Sequence, residues 1–329
     1  MKNPILTSTL ILLLISSSFF SCRKKNKDRS NSITPTPDPI IKQDPVIFTY
    51  SENVVEHVTQ ELTKSLIEKI ADQQPNTSLC AAEVDTISKS DTSLVMKYVF
   101  NPTATCNIKG VDIRQSGTIK ISFIGKKNWS ERGTILKYEF IKYRIIQVCD
   151  TCSIDNYLVE INGIQQRENL TGGIESQMKN GDLLVFELFC RNLKYSYRDK
   201  YDRTTNQKQR ITLSKFNDET TTTIVGADSI PSGDFAGQTN VAFWGTIWNG
   251  KPYMVKYEKP KVYKTCNGNG KIVCGSVYSI FKGAYEKRET YAVDPKTGKE
   301  YETCNCTADT YFLQTITDSG KLEKKIYKY

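Results

Sequence analysis

Residues 133–147, GTILKYEFIKYRIIQ, decide the fold class. Leu136, Tyr138 and Phe140 alternate with Lys137 and Glu139, the period-two pattern of a strand with one face in a core and the other in water. The run is much longer than an average strand of about 5–6 residues, which predicts a bulge or bend inside it. The same texture recurs at Ile119, Ile121 and Phe123, at Phe186, Leu188 and Cys190, and at Tyr253, Val255 and Tyr257. The run 240–258 is again too long for one plain strand. Asn249-Gly250, Asn267-Gly268, Thr297-Gly298 and Ser319-Gly320 supply glycine between such runs, where a tight hairpin needs positive φ. The pattern predicts a mainly β protein, a large antiparallel sheet or meander. Residues 216–240, rich in Thr, Asp and Gly, read as a long connection. No repeat of twenty to fifty residues emerges, although an elongated or solenoid-like stack fits the succession of similar strands.

One segment reads as helix. Over residues 51–73, Val54, Val55, Val58, Leu62, Leu66, Ile67 and Ile70 recur at intervals of three and four, with Pro75 beyond the end. This predicts an N-terminal amphipathic helix with one apolar face. Residues 46–329 then form a single mainly β domain, long but within the range of all-β domains.

The beginning of the chain reads as an address. Lys2 followed by the apolar run Ile5 to Phe20 fits a signal peptide over residues 1–21. Phe19-Phe20-Ser21-Cys22 resembles the bacterial lipobox, and that likeness implies Cys22 as the lipid-modified first residue of an exported protein. Residues 22–45 combine the basic cluster Arg23-Lys24-Lys25 with Pro35, Pro37, Pro39 and Pro45, a composition that favours an extended, disordered linker. Cations beside a lipid can each add about 1 kcal/mol of attraction to anionic headgroups. By the sorting pattern of enteric lipoproteins, Arg23 in place of an aspartate implies the outer membrane.

A broader resemblance covers most of the chain. Cys106 to Ile121, with its Arg114-x-x-Gly117-x-Ile119 core, then Gly133-Thr134 and Phe140-Ile141-Lys142-Tyr143, is similar to a family of Bacteroidota lipoproteins. The run Cys266 to Gly275, then Asp294 to Cys304 and Gly320-Lys321, resembles their closing part. The likeness implies a lipid-anchored β domain. That family has no assigned activity, and this chain departs from its pattern around Lys296 to Cys306.

Cysteine use agrees with export. Of 10 cysteines, those other than Cys22 are Cys80, Cys106, Cys149, Cys152, Cys190, Cys266, Cys274, Cys304 and Cys306. An oxidising compartment pairs most of them. The pairings read here are Cys80 with Cys106, and Cys266 with either Cys274 or Cys304, while Cys190, on the apolar side of a strand, stays a buried thiol. Cys149-Asp150-Thr151-Cys152 ends a β-like run without the helix that lowers a redox thiolate's pKa, so the reading is a loop-clasping disulfide or separate pairings of the two cysteines. A zinc site would have to borrow Cys304 and Cys306.

The motifs exclude more activities than they suggest. His57 is the sole histidine, so a Ser-His-Asp triad or a His-rich metal centre would depend on one helical residue. There is no Gly-x-Ser-x-Gly elbow, P-loop or dinucleotide fingerprint. The Gly-rich run Cys266 to Lys271 reads as a hairpin turn. A formal charge of +9 is scattered along the strands instead of gathered into a stripe, which argues against nucleic acid. Trp244, Trp248 and Tyr253, or Tyr195, Tyr197 and Tyr201, remain as flat apolar faces for a sugar or a protein loop. The resulting expectation is a non-enzymatic lipoprotein, without cofactor or metal, that binds a glycan, peptide or envelope partner. The alternatives are a structural envelope component and, more distantly, a carboxylate-dependent glycan hydrolase.

Overall fold

The computed structural model describes residues 54, 55, 58, 59 and 61–63 and most of 82–328, with gaps at 90–93, 109–110, 125–127, 149–157, 198–200, 228, 231, 248–249, 267–268, 305, 307–309 and 318. The signal-peptide and linker readings, Cys22, His57, Cys80, Cys149, Cys152 and Trp248 lie outside the described residues.

The protein is mainly β, and its described residues form one antiparallel sheet of 15 strands. The first six are β1 (Ala82–Lys89), β2 (Leu94–Phe100), β3 (Thr105–Ile108), β4 (Val111–Ile124), β5 (Ile135–Gln147) and β6 (Leu158–Asn169). The long strands β7 (Leu183–Tyr197) and β8 (Tyr201–Phe216) follow, then the short β9 (Glu219–Gly226) and β10 (Val241–Thr246). The chain closes with β11 (Pro252–Cys266), β12 (Asn269–Phe281), β13 (Tyr285–Tyr291), β14 (Thr310–Thr317) and β15 (Leu322–Lys328). Most neighbours in the sheet are neighbours in sequence. At β8 two short strands share one space: β9 pairs Gln209 to Phe216, and β10 pairs Thr204 to Gln207. Both then pair with β11. The stretch 216–240 is therefore not one long connection. Its threonine-rich half is β9, turned back from β8 by Asn217 and Asp218 at φ 48 and 60, the two successive positive values of a tight hairpin turn.

The long strands are bent where the sequence pattern slips. In β5, Leu136, Tyr138 and Phe140 are buried, and beyond Lys142 burial moves to Tyr143, Ile145 and Gln147. One extra residue in β5 opposes its neighbours on both sides, a bulge that restores the apolar face after the bend. β7 does the same between Cys190 and Leu193. Lys142 and Asn192 take φ 48 and 52 at these bulges. Their amide N–H groups are satisfied alike: Lys142 donates to Asn162 Oδ1 at 2.7 Å, and Asn192 to Asn206 Oδ1 at 3.0 Å. The bulge device thus recurs one hairpin later and creases the sheet along one line.

One face of the sheet carries a contiguous core from β2 to β14, in which Tyr98, Tyr138, Tyr143, Leu136, Ile119 and Ile121 are at most 1% exposed. Each such side chain contributes about 1.5–3 kcal/mol by leaving water. The helical residues described, Val54, Val55, Val58 and Leu62, belong to this core, and the Thr63 hydroxyl meets Tyr138 Oη. The remainder of the expected helix 51–73 lies outside the described residues. Elsewhere the core is polar: Gln165 Nε2 donates to Gln207 at 2.9 Å, Gln207 to Gln209 at 3.0 Å, and Gln209 to Tyr257 Oη at 2.8 Å, a chain linking β6, β8 and β11. Cys190 is a buried thiol directed at the Thr205 carbonyl at 3.5 Å.

Disulfides close the C-terminal part. Cys266 is bonded to Cys306, and Cys274 to Cys304. The pairing of Cys266 with Cys274 or Cys304 is thereby corrected. Val262 opposes Cys274 in the β11–β12 ladder while Cys266 lies at the hairpin end, so the two cysteines of β11 and β12 are offset along the strands. Each instead reaches the segment that runs back over this hairpin. The same bonds remove Cys304 and Cys306 from any zinc site. Cys106 is also disulfide-bonded. Thr297-Gly298 closes a small loop between Val293 and Glu300, not a hairpin between long strands.

Candidate functional site

The register of the last five strands aligns aromatic side chains across the core face. Tyr253 on β11 opposes Phe281 on β12, which opposes Tyr285 on β13. Their rings stack at centroid distances of 5.7 and 4.8 Å, and the Arg203 guanidinium covers the far side of Tyr253 at 4.3 Å. A second row forms farther along the strands. Tyr291 opposes Tyr311, which opposes Tyr327, at 5.7 and 5.2 Å between centroids. Lys261 Nζ lies 5.1 Å from the Tyr291 ring. Aromatic and cation–π contacts of this kind each add about 0.5–1.5 kcal/mol beyond area burial.

Tyr285 and Tyr291 lie six residues apart on β13, so the rows are about 20 Å apart at the rise of a strand. The floor between them is polar. Lys287 and Glu289 fall on the core-facing positions of β13 and form an ion pair at 3.4 Å, with side chains only 21% and 17% exposed. Ser279 and Val277 flank them on β12, Thr315 and Leu313 on β14. Ser279 and Val277 are buried, whereas Thr315, Leu313 and Tyr327 are half-buried and Lys325 of β15 is exposed. The floor is therefore closed toward β12 and open toward β15. Burial pushes the Tyr291 phenol well above its ordinary value, with the Glu289 charge adding to the effect, so this hydroxyl remains a neutral hydrogen-bonding group.

The opposite face of the same strands carries a different cluster. Arg288 clasps Glu258 through two hydrogen bonds at 2.7 and 2.8 Å. Tyr278 lies between Arg288 and Lys256, 5.2 and 5.7 Å from its ring, and donates to Glu286 at 2.5 Å. Partial burial, then that hydrogen bond, push the Tyr278 phenol up to about 12. These groups brace β11, β12 and β13 crosswise.

Of Trp244, Trp248 and Tyr253, expected from sequence to form a site, the two described, Trp244 and Tyr253, do not converge. Tyr253 is 0% exposed within the first row and offers no face to a ligand. Trp244 opposes Met254 and so points to the other face, where Ile230 and Phe235 of the loop after β9 pack with it. Strand alternation separates the two residues. The positions that do converge were obscured in the sequence because YEKRETY, residues 285–291, carries charged residues on both faces and shows no apolar alternation. The readable signal was the tyrosine that ends β13, Tyr291, which lines up with Tyr311 of β14 and Tyr327 of β15 only once register is known.

Among the described residues, no group of three or more His, Cys, Asp or Glu side chains is placed to hold a metal ion, and no helix is long and apolar enough to cross a membrane. Comparison with protein families, curated proteins and solved structures finds no match to this chain.

Proposed function

We propose that the protein is an exported lipoprotein, tethered to the outer membrane through Cys22, whose trough between the two aromatic rows binds an extended glycan without altering it chemically. The observation that carries the reading is the half-buried Lys287–Glu289 pair held between two tyrosine rows on a face that opens at the sheet's end. A pyranose ring has an apolar C–H face and a rim of hydroxyls. Tyr285 and Tyr327, both half-buried, offer flat surfaces for the former. Lys287, Glu289 and Thr315 supply donors and acceptors for the latter, with little side-chain entropy left to lose because they are already packed. The rigid β floor suits binding better than an induced fit. The lipobox-like Phe19-Phe20-Ser21-Cys22 and the likeness to Bacteroidota lipoproteins support the tether and an envelope location, where glycans abound.

A glycan array probed with the chain lacking residues 1–21, followed by calorimetry on the best binder, tests the function. Tyr327→Ala and Lys287→Met are each expected to weaken binding at least about tenfold, the equivalent of 1.4 kcal/mol. Absence of any glycan above background, or an affinity indifferent to both substitutions, overturns the reading, and so does hydrolysis of the bound glycan. Mass spectrometry of the mature N-terminus tests the tether: an unmodified Cys22 or cleavage elsewhere refutes it.

A further inference from the structure

Arg167 stands on the core-facing side of β6, across from Leu136 of β5 and Leu188 of β7. It is half-buried, and its contacts are with rings. The guanidinium lies 4.6 Å from the Phe186 ring centre and 5.8 Å from that of Trp129, and these two rings stack on each other at 5.5 Å. Among the described residues no carboxylate forms an ion pair with Arg167, and its buried Nε has no acceptor, whereas the two terminal nitrogens still meet solvent. Burial has stripped part of the hydration from this cation, and ring faces alone replace it incompletely.

The surroundings hold this arrangement in place. Asn169 is 0% exposed, and its Nδ2 donates to the Trp129 carbonyl at 2.8 Å and to the Gly173 carbonyl at 3.0 Å, while its Oδ1 accepts the Gly172 N–H at 2.8 Å. The Gly173 N–H donates in turn to the Ser130 carbonyl at 2.7 Å. The β4–β5 and β6–β7 connections are thereby tied to each other and to β6, which fixes Trp129 against Phe186 and the flank of the guanidinium. We infer that Arg167 anchors a second binding site, on strands other than those of the trough, that takes a single carboxylate carried by a small organic acid or by a sugar acid. The planar fork of a guanidinium matches the two oxygens of a carboxylate, and both hydrogen bonds are charge-assisted. Charge balance selects a monoanion. Arg167 is one cation, and Glu175, on the short turn Glu175–Gln177 that follows β6, feels its charge without pairing with it. A second negative charge, as on phosphate, would meet Glu175 unneutralised.

Nuclear magnetic resonance of the ¹⁵N-labelled full mature chain, read at the arginine Nε–H signals, tests the inference. Sodium acetate and sodium glucuronate are titrated at constant ionic strength, with glucose and inorganic phosphate as comparators. One arginine signal is expected to shift saturably with carboxylate and to be the signal that Arg167→Met removes. Saturation by acetate assigns the site to free organic acids, and saturation by glucuronate alone assigns it to sugar acids. Arg167→Lys keeps the charge and the long stem but lacks the fork, and is expected to weaken binding at least about tenfold, read from the backbone amides that shift with the ligand. Tyr327→Ala, on β15, is expected to respond like wild type, and loss of the response there would assign the anion to the trough and overturn the inference. No saturable shift with either carboxylate overturns it too, as does a response that survives Arg167→Met or tighter binding of phosphate than of both carboxylates. A failed glycan array leaves all of these outcomes untouched.

Discussion

Lys142 holds φ 48 although it carries a Cβ, a conformation that costs about 1 kcal/mol outside glycine and asparagine. The arrangement around it leaves little alternative. Asn162 accepts its amide N–H, and Gly117 on β4 has no side chain to meet its carbonyl. A Cβ placed on Gly117 at φ 92 would come within 2.1 Å of the Lys142 carbonyl oxygen. Gly117→Ala is therefore expected to cost roughly 3–5 kcal/mol through backbone strain and overpacking together. Gly133→Ala, where a Cβ would meet nothing within 4 Å, is expected to cost only about 1 kcal/mol of backbone strain. Urea denaturation of the two variants compares them directly, and equal losses would contradict the crease as described. On the outer face, Glu258 answers to pH. Partial burial pushes its carboxyl up, but the hydrogen bonds and charge of Arg288 outweigh this and hold it below the ordinary value of 4.5. A carboxyl depressed by folding stabilises the protein at pH above that ordinary value, and the contribution is lost as pH falls through the folded value. Both partners are partly in water, so the contribution is under about 1 kcal/mol. Wild type should exceed Glu258→Gln in stability near neutrality, and the two should converge in acid. A gap that persists unchanged to low pH would show that packing, not charge, sets the difference.

At the scale of elements, the disulfides hold the segment after β13 against the β11–β12 hairpin. The Cys274–Cys304 bond spans a sequence separation of 30, for which restriction of the unfolded chain accounts for about 3–4 kcal/mol. The double substitution Cys274→Ser, Cys304→Ser should lower stability by that order, read from the denaturation midpoint. A loss below about 1 kcal/mol would mean that Cys266–Cys306 alone suffices. These pairings illustrate what a sequence conceals: cysteines far apart in the chain acquire partners only when strand register is set. The strands were readable where one face is apolar, as for β5, β7 and β11, because period-two burial writes itself into residue type. β9 was not readable, since its threonines serve both faces and the Asn217-Asp218 turn lacks the glycine that usually marks a hairpin. The trough was hidden for a related reason: β13 has charged side chains in core-facing positions, and only its neighbours' register reveals a floor with aromatic borders.

Over the whole molecule, strand order makes stability nearly one-dimensional, since each strand exchanges backbone hydrogen bonds only with its lateral neighbours. Side-chain burial is distributed unevenly along that line. β5 alternates buried and half-buried positions through most of its length, whereas no residue of β15 is fully buried. Local opening costs least where few apolar contacts must be broken, so the sheet is expected to open from its C-terminal end while β4 to β7 hold. Hydrogen exchange read by mass spectrometry should show protection highest in β4 to β7 and lowest in β14 and β15. The same measurement reads the trough. A glycan in the trough adds contacts to Tyr285, Thr315 and Tyr327 and should slow exchange in β13 to β15 without affecting β1. Uniform protection across the sheet would instead require every strand to open with the rest, which a chain of lateral contacts ending in a poorly buried hairpin does not favour.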